Sequence, residues 1–374
     1  MQIRGYFDNC ATAKPCENAV KRMNEALSDT WGNPSSLYDF GVKSENLLKQ
    51  TREKIAEIVG ARADEVFFTS SGTFANNLAI FGAAEALKRR GNRIVTTETE
   101  HASVLEPISE LERRGFEIIR LPVDQTGLVS ATNIQKAITK DTVLVSMMLV
   151  NNEIGTIQNV KAAAQAIKIA NAPALLHCDC VQAFTKLPFK TNDIGADLIT
   201  ISAHKIHGVA GVGALIKRKS ARILPITFGG AQESGLAPGT QSTALIAAFL
   251  GAMEQPQNHE KITALRNHTL QNLQKISGVK INSSETSSPY IINLSLSGIR
   301  SETMLHFLAE SGIYVSSGSA CSKGKGSHVL KAIGLSKDDI DSAIRISFSR
   351  YNTQGEADLL CERILEATQK LRRR

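Results

Sequence analysis

The sequence predicts an α/β fold, with a large domain on a mainly parallel sheet and a smaller α+β domain after it. Between about residues 60 and 220, short apolar runs alternate with amphipathic helical patterns, as in parallel sheets covered on both faces. The length of 374 residues indicates two domains at about 150 residues each. An apolar content of 42% with 21% charged residues is ordinary for a globular protein.

The elements follow from these patterns in chain order. In the large domain we expect strands at 65–68, 93–97, 116–121, 142–150, 174–178 and 197–202, with helices at 73–89, 101–114, 160–171 and 240–254. The polar segment 255–259 then indicates a boundary. Beyond it we expect helices at 260–276, 301–311 and 354–371 and strands at 279–282, 291–296 and 344–348. The large domain is therefore predicted over 13–255, and the small domain over 1–12 with 256–374.

Composition and charge narrow the class of protein. The net charge is +7, but the basic residues are not interleaved with aromatics, which are 5% of the chain, so direct nucleic-acid binding is not expected. The longest apolar stretch, 143–150, is interrupted by Ser146 and is far shorter than the ~20 residues of a membrane span. The first 15 residues contain no apolar stretch of signal-peptide length. We therefore expect a cytoplasmic protein without a membrane segment.

The cysteines are expected to be reduced thiols, since disulfides are rare in the cytoplasm. His177, Cys178 and Cys180 surround Asp179 and could suggest a metal site. Two thiols without a second pair favour packing, however, and strand alternation places Cys178 and Cys180 on the face opposite Asp179. No metal site is predicted.

An acid and a lysine follow two neighbouring strands. Asp179 comes directly after the strand at 174–178, and Lys205 follows the strand at 197–202. Ligands of parallel sheets bind at the carboxyl ends of the strands. An acid that keeps a ring nitrogen protonated and a lysine that binds an aldehyde covalently are what pyridoxal phosphate requires. A surface acid and a surface base are the alternative.

Two further features lie after strands. The Ser/Thr/Gly turn that includes Gly72 and Thr73 precedes a helix, and free N–H groups at a helix start can bind a phosphate. The turn could equally be a simple helix cap. His101 follows the strand at 93–97, where its ring could stack on a planar cofactor or pack in the core.

Cys321 lies in a run of small residues, from Val315 to Gly326. This pattern indicates an exposed loop with a reactive thiol, and the neighbouring Lys323 and Lys325 favour the thiolate. A phosphate-loop interpretation of Gly324-Lys325 fails, because Ser319 stands where the motif needs glycine.

Taken together, these motifs resemble a cysteine desulfurase of the class V aminotransferases, which are pyridoxal-phosphate enzymes of fold type I with a seven-stranded sheet. The resemblance covers nearly the whole chain. It rests on His101, Asp179-x-x-Gln182, Ser202-Ala-His-Lys205, Ser317-Gly-Ser-Ala-Cys321 and Arg345-Ile-Ser-Phe348, with Asp8-Asn-Cys-Ala-Thr12, Gly32-Asn-Pro-Ser-Ser36 and Asn151-Asn-Glu-Ile-Gly155.

The resemblance implies a role for each cofactor residue. Lys205 would hold pyridoxal phosphate and later move a proton, Asp179 would pair with the ring nitrogen, and His101 would stack on the ring. The remaining cofactor-binding residues would be Gln182 at the ring oxygen, Asn152 beside cofactor and substrate, and Gly72, Thr73, Ser202, His204 and Thr240 at the phosphate, with Thr240 supplied by the partner subunit of a homodimer.

The resemblance also implies the reaction. Arg345 would bind the carboxylate of L-cysteine, and Cys321 would accept its sulfur as a persulfide, leaving L-alanine. The sulfur would pass to an acceptor protein of iron–sulfur cluster assembly or tRNA thiolation. Selenocysteine cleavage, another class V reaction and a degenerate cofactor-binding paralogue remain alternatives. The last is motivated by Phe74 and Ala237, which stand where the family usually has Glu and Arg.

Overall fold

The structure is a computed structural model that describes residues 3–255, 257–317 and 326–372. Its strands are β1 (Gly5–Tyr6), β2 (Val66–Thr69), β3 (Arg93–Thr97), β4 (Glu117–Leu121), β5 (Thr142–Met148), β6 (Leu175–Asp179), β7 (Leu198–Ser202), β8 (Gly213–Lys217), β9 (Val279–Ile281), β10 (Ile291–Leu296), β11 (Ile313–Tyr314), β12 (Ser316–Ser317) and β13 (Ala343–Ser347).

The helices alternate with these strands through the first two thirds of the chain. They are α1 (Glu17–Asp29), α2 (Asp39–Val59), α3 (Gly72–Leu87), α4 (Ala102–Arg113), α5 (Ala131–Ala137), α6 (Val160–Ile169), α7 (Thr191–Ile194), α8 (Thr243–Met253), α9 (His259–Leu273), α10 (Ser301–Glu310), α11 (His328–Ala332), α12 (Lys337–Asp341) and α13 (Gln354–Lys370). No helix among the described residues is long and apolar enough to span a bilayer.

The larger sheet has seven strands in the order β2-β8-β7-β6-β5-β3-β4. The five strands from β7 to β4 are parallel, and β8 runs antiparallel between β2 and β7. The predicted mainly parallel α/β sheet is therefore confirmed. The sequence prediction missed β8, because its five residues follow a glycine-containing turn and have no helix before them.

The burial of the central strands explains why the sequence pattern predicts them. Every residue of β5 and of β7 is buried, so these strands appear as continuous apolar runs instead of alternating ones. Helix α3 packs on the sheet through buried small residues such as Ala75, Ala79 and Ala83, which let the backbones approach closely. This packing brings the start of α3 to the carboxyl ends of the strands.

A second, antiparallel sheet has the order β12-β13-β10-β9. Helices α9, α10 and α13 belong to the same part of the chain, and β1 pairs in parallel with β11. The backbone N–H of Ser347 also donates to the carbonyl of Phe7 at 2.7 Å. The predicted boundaries of the two domains stay a prediction, which the pairing of the first residues with β11 and β13 supports.

Candidate active site

The predicted site residues converge on the carboxyl edge of the larger sheet. His101 follows β3, Asn152 follows β5, Asp179 ends β6 and Lys205 follows β7. Because these strands are parallel neighbours in the sheet, their carboxyl ends meet at one edge. Residues separated by about a hundred positions in sequence therefore line a single region.

Lys205 ends a short 3-10 turn that directly follows β7. Its Nζ donates to the carbonyl oxygens of Cys10 at 2.7 Å and of Ala11 at 2.6 Å. Burial, which disfavours the charged amine, is the largest cause that lowers the pKa of Lys205 to about 8. A substantial fraction of this amine is therefore neutral near physiological pH, as a lysine that attacks an aldehyde requires.

The carboxylate of Asp179 is buried and accepts one hydrogen bond on each oxygen, which leaves further acceptor capacity. Its Oδ2 accepts from Asn76 Nδ2 at 2.8 Å, and its Oδ1 accepts from the N–H of Val181 at 2.9 Å. Asn76 Nδ2 also donates to Ser103 Oγ at 2.8 Å, and this hydroxyl lies 2.8 Å from His101 Nδ1. Asp179 and His101 thus belong to one hydrogen-bonded chain, which fixes the orientation of both side chains.

The start of α3 provides free donors at the same edge. Among the described residues, the N–H groups of Gly72 and Thr73 have no protein acceptor, while Ser71 Oγ accepts from Phe74 N at 3.1 Å. A Cβ atom on Gly72 would lie 3.3 Å from the Cβ of Ser202, so Gly72 leaves room between α3 and the end of β7. Such a helix start suits a phosphate.

His204 and Thr240 occupy different positions relative to this edge. His204 Nδ1 lies 3.2 Å from Thr12 Oγ1, and burial, followed by the charge of Lys205, lowers the pKa of His204 to about 4. Thr240 is exposed, and no hydrogen bond in the described ranges joins it to the other predicted site residues. Within one chain, the structure does not bring Thr240 to the site.

Arg345 enters from β13 of the smaller sheet and is nearly buried. Its Nη2 donates to Asp8 Oδ1 and its Nη1 to the carbonyl of Asn152, at 2.8 and 2.9 Å. Its buried Nε has no partner in the parts of the chain that the structure describes. A guanidinium with an unused donor beside the sheet edge can bind a carboxylate.

Cys321 lies outside the described residues, but the residues on either side of its segment are placed. Ser316 pairs with Arg345 across β12 and β13. Ser327 caps α11, and its hydroxyl donates to Glu153 Oε2 at 2.5 Å. The described residues on either side of this segment therefore lie beside Arg345 and beside Glu153, which directly follows Asn152.

Several residues of this site were missed by sequence reasoning. Asp8 and Asn76 hold Arg345 and Asp179, yet neither was assigned a role. Asn76 is 1% exposed on the inner face of α3, and a polar residue at a core position of an apolar helix is the signal that could have identified it. Asp8 had no such signal, because its partner is 337 residues away.

The thiols beside Asp179 lie together, as strand alternation predicts. The sulfur atoms of Cys178 and Cys180 are 3.5 Å apart, and both residues are fully buried. Burial and the neighbouring thiol raise the pKa of Cys178 well above its ordinary value.

His177, which precedes these thiols, has hydroxyl partners on both ring nitrogens. It lies between Ser146 Oγ at 2.8 Å and Thr200 Oγ1 at 3.1 Å. No set of three metal-binding side chains occurs among the described residues.

Phe74, which replaces the glutamate usual in the family, is accommodated by apolar neighbours. It is partly buried and packs against a cluster that includes Leu236. Leu236 directly precedes Ala237 in the chain. Since neither Phe74 nor Ala237 carries a charge, these two departures from the family pattern leave no buried charge without its partner.

The residues present fit pyridoxal phosphate. The site combines a buried acid for a ring nitrogen, a lysine whose pKa is lowered, and free N–H groups at a helix start. When bound, the cofactor supplies an electron sink for bonds broken at the substrate's α-carbon. Each of these groups lies on rigid strand or helix ends.

Comparisons with known proteins identify the family of this chain. The family model of aminotransferase class-V matches residues 5–360. A curated relative, cysteine desulfurase IscS of Dictyoglomus turgidum, is 38% identical over 100% of this chain and 96% of its own length. A solved structure titled NIFS-like protein is 35% identical, covers 98% of this chain and 100% of its own, and has a TM-score of 0.91. Another, SspA in complex with cysteine, is 31% identical, covers 93% of this chain and 100% of its own, and has a TM-score of 0.83.

The chain belongs to the class-V aminotransferase family of pyridoxal-phosphate enzymes. Within that family it groups with the cysteine desulfurases, since its similarity to such a relative extends over the full length of the chain. The fold and the family predicted from sequence are therefore confirmed.

Proposed function

We propose that this protein is a cysteine desulfurase that converts L-cysteine to L-alanine and retains the sulfur as a persulfide on Cys321. The observation that carries the proposal is the convergence of Lys205, Asp179 and Arg345 at one sheet edge. The described residues on either side of the segment with Cys321 lie beside Arg345 and Glu153.

Each residue has a defined task. Lys205 holds the cofactor and then moves a proton at the α-carbon, for which its lowered pKa is suited. Asp179 keeps the ring nitrogen protonated, and the Asn76 amide fixes its carboxylate. Arg345 binds the substrate carboxylate, and His101 and Asn152 flank the ring and the substrate.

The sulfur step needs no external oxidant. The thiolate of Cys321 attacks the sulfur of the substrate, so that an S–S bond forms while the bond between sulfur and the β-carbon breaks. The electron pair of the broken bond stays with the carbon fragment, which is protonated and released as alanine. The persulfide then passes to the thiol of an acceptor protein, in iron–sulfur cluster assembly or tRNA thiolation.

The protein is proposed to act as a cytoplasmic homodimer. The segment of residues 27–42, here called the apolar segment, exposes Leu27, Trp31, Leu37, Tyr38 and Phe40. Exposed apolar groups in one segment favour an interface, and most small oligomers are two-fold symmetric. A partner subunit would also bring Thr240 to the phosphate, which the single chain does not do.

The test is a turnover assay of the cofactor-loaded protein with L-cysteine, measuring alanine and protein-bound sulfane sulfur. Equal amounts of both in the first turnover are expected. Alanine without persulfide would indicate a different class V reaction, and turnover of selenocysteine but not cysteine would indicate a selenocysteine lyase. A protein that binds the cofactor but turns over neither substrate would be the degenerate paralogue.

A further inference from the structure

A second lysine, Lys186, is buried beside the active site and has no task in the proposed reaction. Its side chain is 4% exposed, and it follows β6 on the same turn as Gln182. Its Nζ donates to Gln182 Oε1 at 3.0 Å and lies 5.8 Å from the centre of the Tyr290 ring. Burial lowers the pKa of Lys186, whereas an acceptor and an aromatic face are both partners that stabilise its ammonium form.

The amide of Gln182 lies between a group that only donates and a group that only accepts. An ammonium has three donors and no acceptor, whereas a carbonyl oxygen only accepts. Lys186 therefore requires the amide oxygen on its side. The carbonyl of Cys10, 3.0 Å from Nε2, requires the nitrogen on the other side. These two neighbours leave one orientation of the amide.

The amide nitrogen lies next to Lys205. The Cys10 carbonyl that accepts from Gln182 Nε2 also accepts from Lys205 Nζ at 2.7 Å. An amide nitrogen carries two N–H groups, so one remains after the bond to Cys10. This remaining donor adjoins the amine that would hold the cofactor.

We propose that Lys186 is a positioning residue, which fixes the Gln182 amide so that its nitrogen and not its oxygen is presented to the cofactor. The inference rests on the proposed function, because Gln182 acts only if the cofactor binds at Lys205. Without the ammonium, only the Cys10 carbonyl restrains the amide, so the amide is oriented less firmly and its second N–H is presented less well to the ring oxygen of the cofactor.

The backbone at this turn supports the assignment. Thr185, directly before Lys186, has a φ of 59°, a left-handed conformation that is costly for a β-branched residue. Such strain persists where the surrounding structure fixes the conformation. The strained turn leads into a lysine side chain that is held inside the protein.

Lys186 has a second measurable effect, on the titration of Lys205. Burial is the main cause of the lowered pKa of Lys205, and the positive charge of Lys186 lowers it further. Removing that charge should raise the pKa of Lys205, whereas changing Gln182 should not. The titratable and charged groups that interact with Lys205 are Asp8, Cys10, His101, Lys186, His204 and Arg345.

The experiment measures the dissociation constant of pyridoxal phosphate from the full-length apoprotein and four variants. Lys186→Met and Gln182→Leu should each weaken binding about fivefold to tenfold, the effect of one lost hydrogen bond. The double variant should be no weaker than Gln182→Leu, because both changes remove the same contact. Lys190→Met is the matched control: this exposed lysine is four residues further on and donates to the carbonyls of Glu57 and Ile58.

Competitive acylation of the apoprotein supplies a readout that a merely structural role would not change. The labelling midpoint of Lys205 should rise in Lys186→Met and stay the same in Gln182→Leu and Lys190→Met. If Lys186→Met does not fold, Lys186→Arg and Lys186→Gln replace it. The arginine offers only donors and should bind the cofactor like wild type, whereas the amide of the glutamine can donate or accept, no longer fixes the Gln182 amide and should weaken cofactor binding.

The outcomes separate this inference from the proposed function. Wild-type affinity in Lys186→Met, or additive losses in the double variant, would overturn the role of Lys186 while leaving the desulfurase proposal intact. A wild-type protein that binds no pyridoxal phosphate at Lys205 would overturn both.

Discussion

The carboxyl edge of the larger sheet and the apolar segment differ in whether their side chains have partners within the chain. At the edge, buried charges are engaged: Asp179 accepts two hydrogen bonds, and Arg345 donates two. In the apolar segment, apolar side chains face outward, and Leu37 is 97% exposed. The edge is thus largely complete within one chain, whereas we propose that the apolar segment is covered by a second subunit.

This difference separates two kinds of inference. Where groups find partners within the chain, their tasks can be argued from distances and charges. Where they do not, as for the apolar segment and Thr240, their partners are expected in a second copy of the chain. Each region therefore has its own test: variants at the sheet edge should leave the oligomeric state unchanged, whereas loss of a dimer would also remove Thr240 from the proposed phosphate site.

The largest effect is expected at the sheet edge, from Lys205→Ala. This change removes the amine that would bind the cofactor covalently, so borohydride treatment should trap no cofactor on the protein, and turnover should be lost. Lys190→Ala serves as the control, since it removes an exposed lysine outside the site. Mass spectrometry of the reduced protein gives the result. A trapped cofactor on another lysine of Lys205→Ala would contradict the assignment.

The same region has a pH dependence with a defined sign. Because the neutral amine is the reactive form and the pKa of Lys205 is lowered to about 8, the rate of cofactor uptake by the apoprotein should rise with pH and level off above about 8. Stopped-flow absorbance between pH 6 and pH 10 would measure it. A midpoint near the ordinary value of 10.5 would show that burial does not lower the pKa of this amine.

In the apolar segment, Leu37→Asp should convert the proposed homodimer to a monomer. A charge placed at a position that a partner covers is costly, because its desolvation is not offset. Ile169→Asp is the matched control, since Ile169 is also an exposed aliphatic residue, at 68%, but lies at the end of α6. Light scattering at assay concentration measures the mass. A Leu37→Asp variant that stays dimeric would show that the segment is not the interface.

A smaller effect concerns the stability of the edge. Burial raises the pKa of Glu100 to about 8, and its Oε2 has no partner in the described portion of the chain. The folded protein therefore holds a proton that the unfolded chain releases above pH 4.5, so stability is lost as the pH rises from about 4.5 to 8. Glu100→Gln has no such proton to release and should not lose this stability. Its free energy of unfolding relative to that of the wild type should therefore increase by about 3 kcal/mol between pH 4.5 and pH 7.

Urea unfolding at pH 5 and at pH 7 measures this difference, with the exposed Glu98→Gln as control. A free energy difference between Glu100→Gln and wild type that does not change with pH would mean that Glu100 is ionised in the folded protein.

The sequence predicted the sheet edge well because parallel strands place their functional residues directly after apolar runs. Asp179, Lys205 and His101 could be identified in this way, and the strands themselves deviate little from prediction, as for β5 at 142–148 against 142–150. The antiparallel β8 and the pair of Asp8 with Arg345 could not be identified, because they depend on contacts between segments far apart in sequence. The orientation of the Gln182 amide likewise depends on Lys186, which no motif marks.

The central claim concerns sulfur, and one measurement tests it directly. The cofactor-loaded wild-type protein and Cys321→Ser are treated with L-cysteine without a sulfur acceptor and analysed by peptide mass spectrometry. The account predicts one additional sulfur on the Cys321 peptide of the wild type. In Cys321→Ser it predicts retained cofactor, no added sulfur and almost no alanine. An additional sulfur on Cys178, Cys180 or Cys361, together with continued alanine formation by Cys321→Ser, would contradict it.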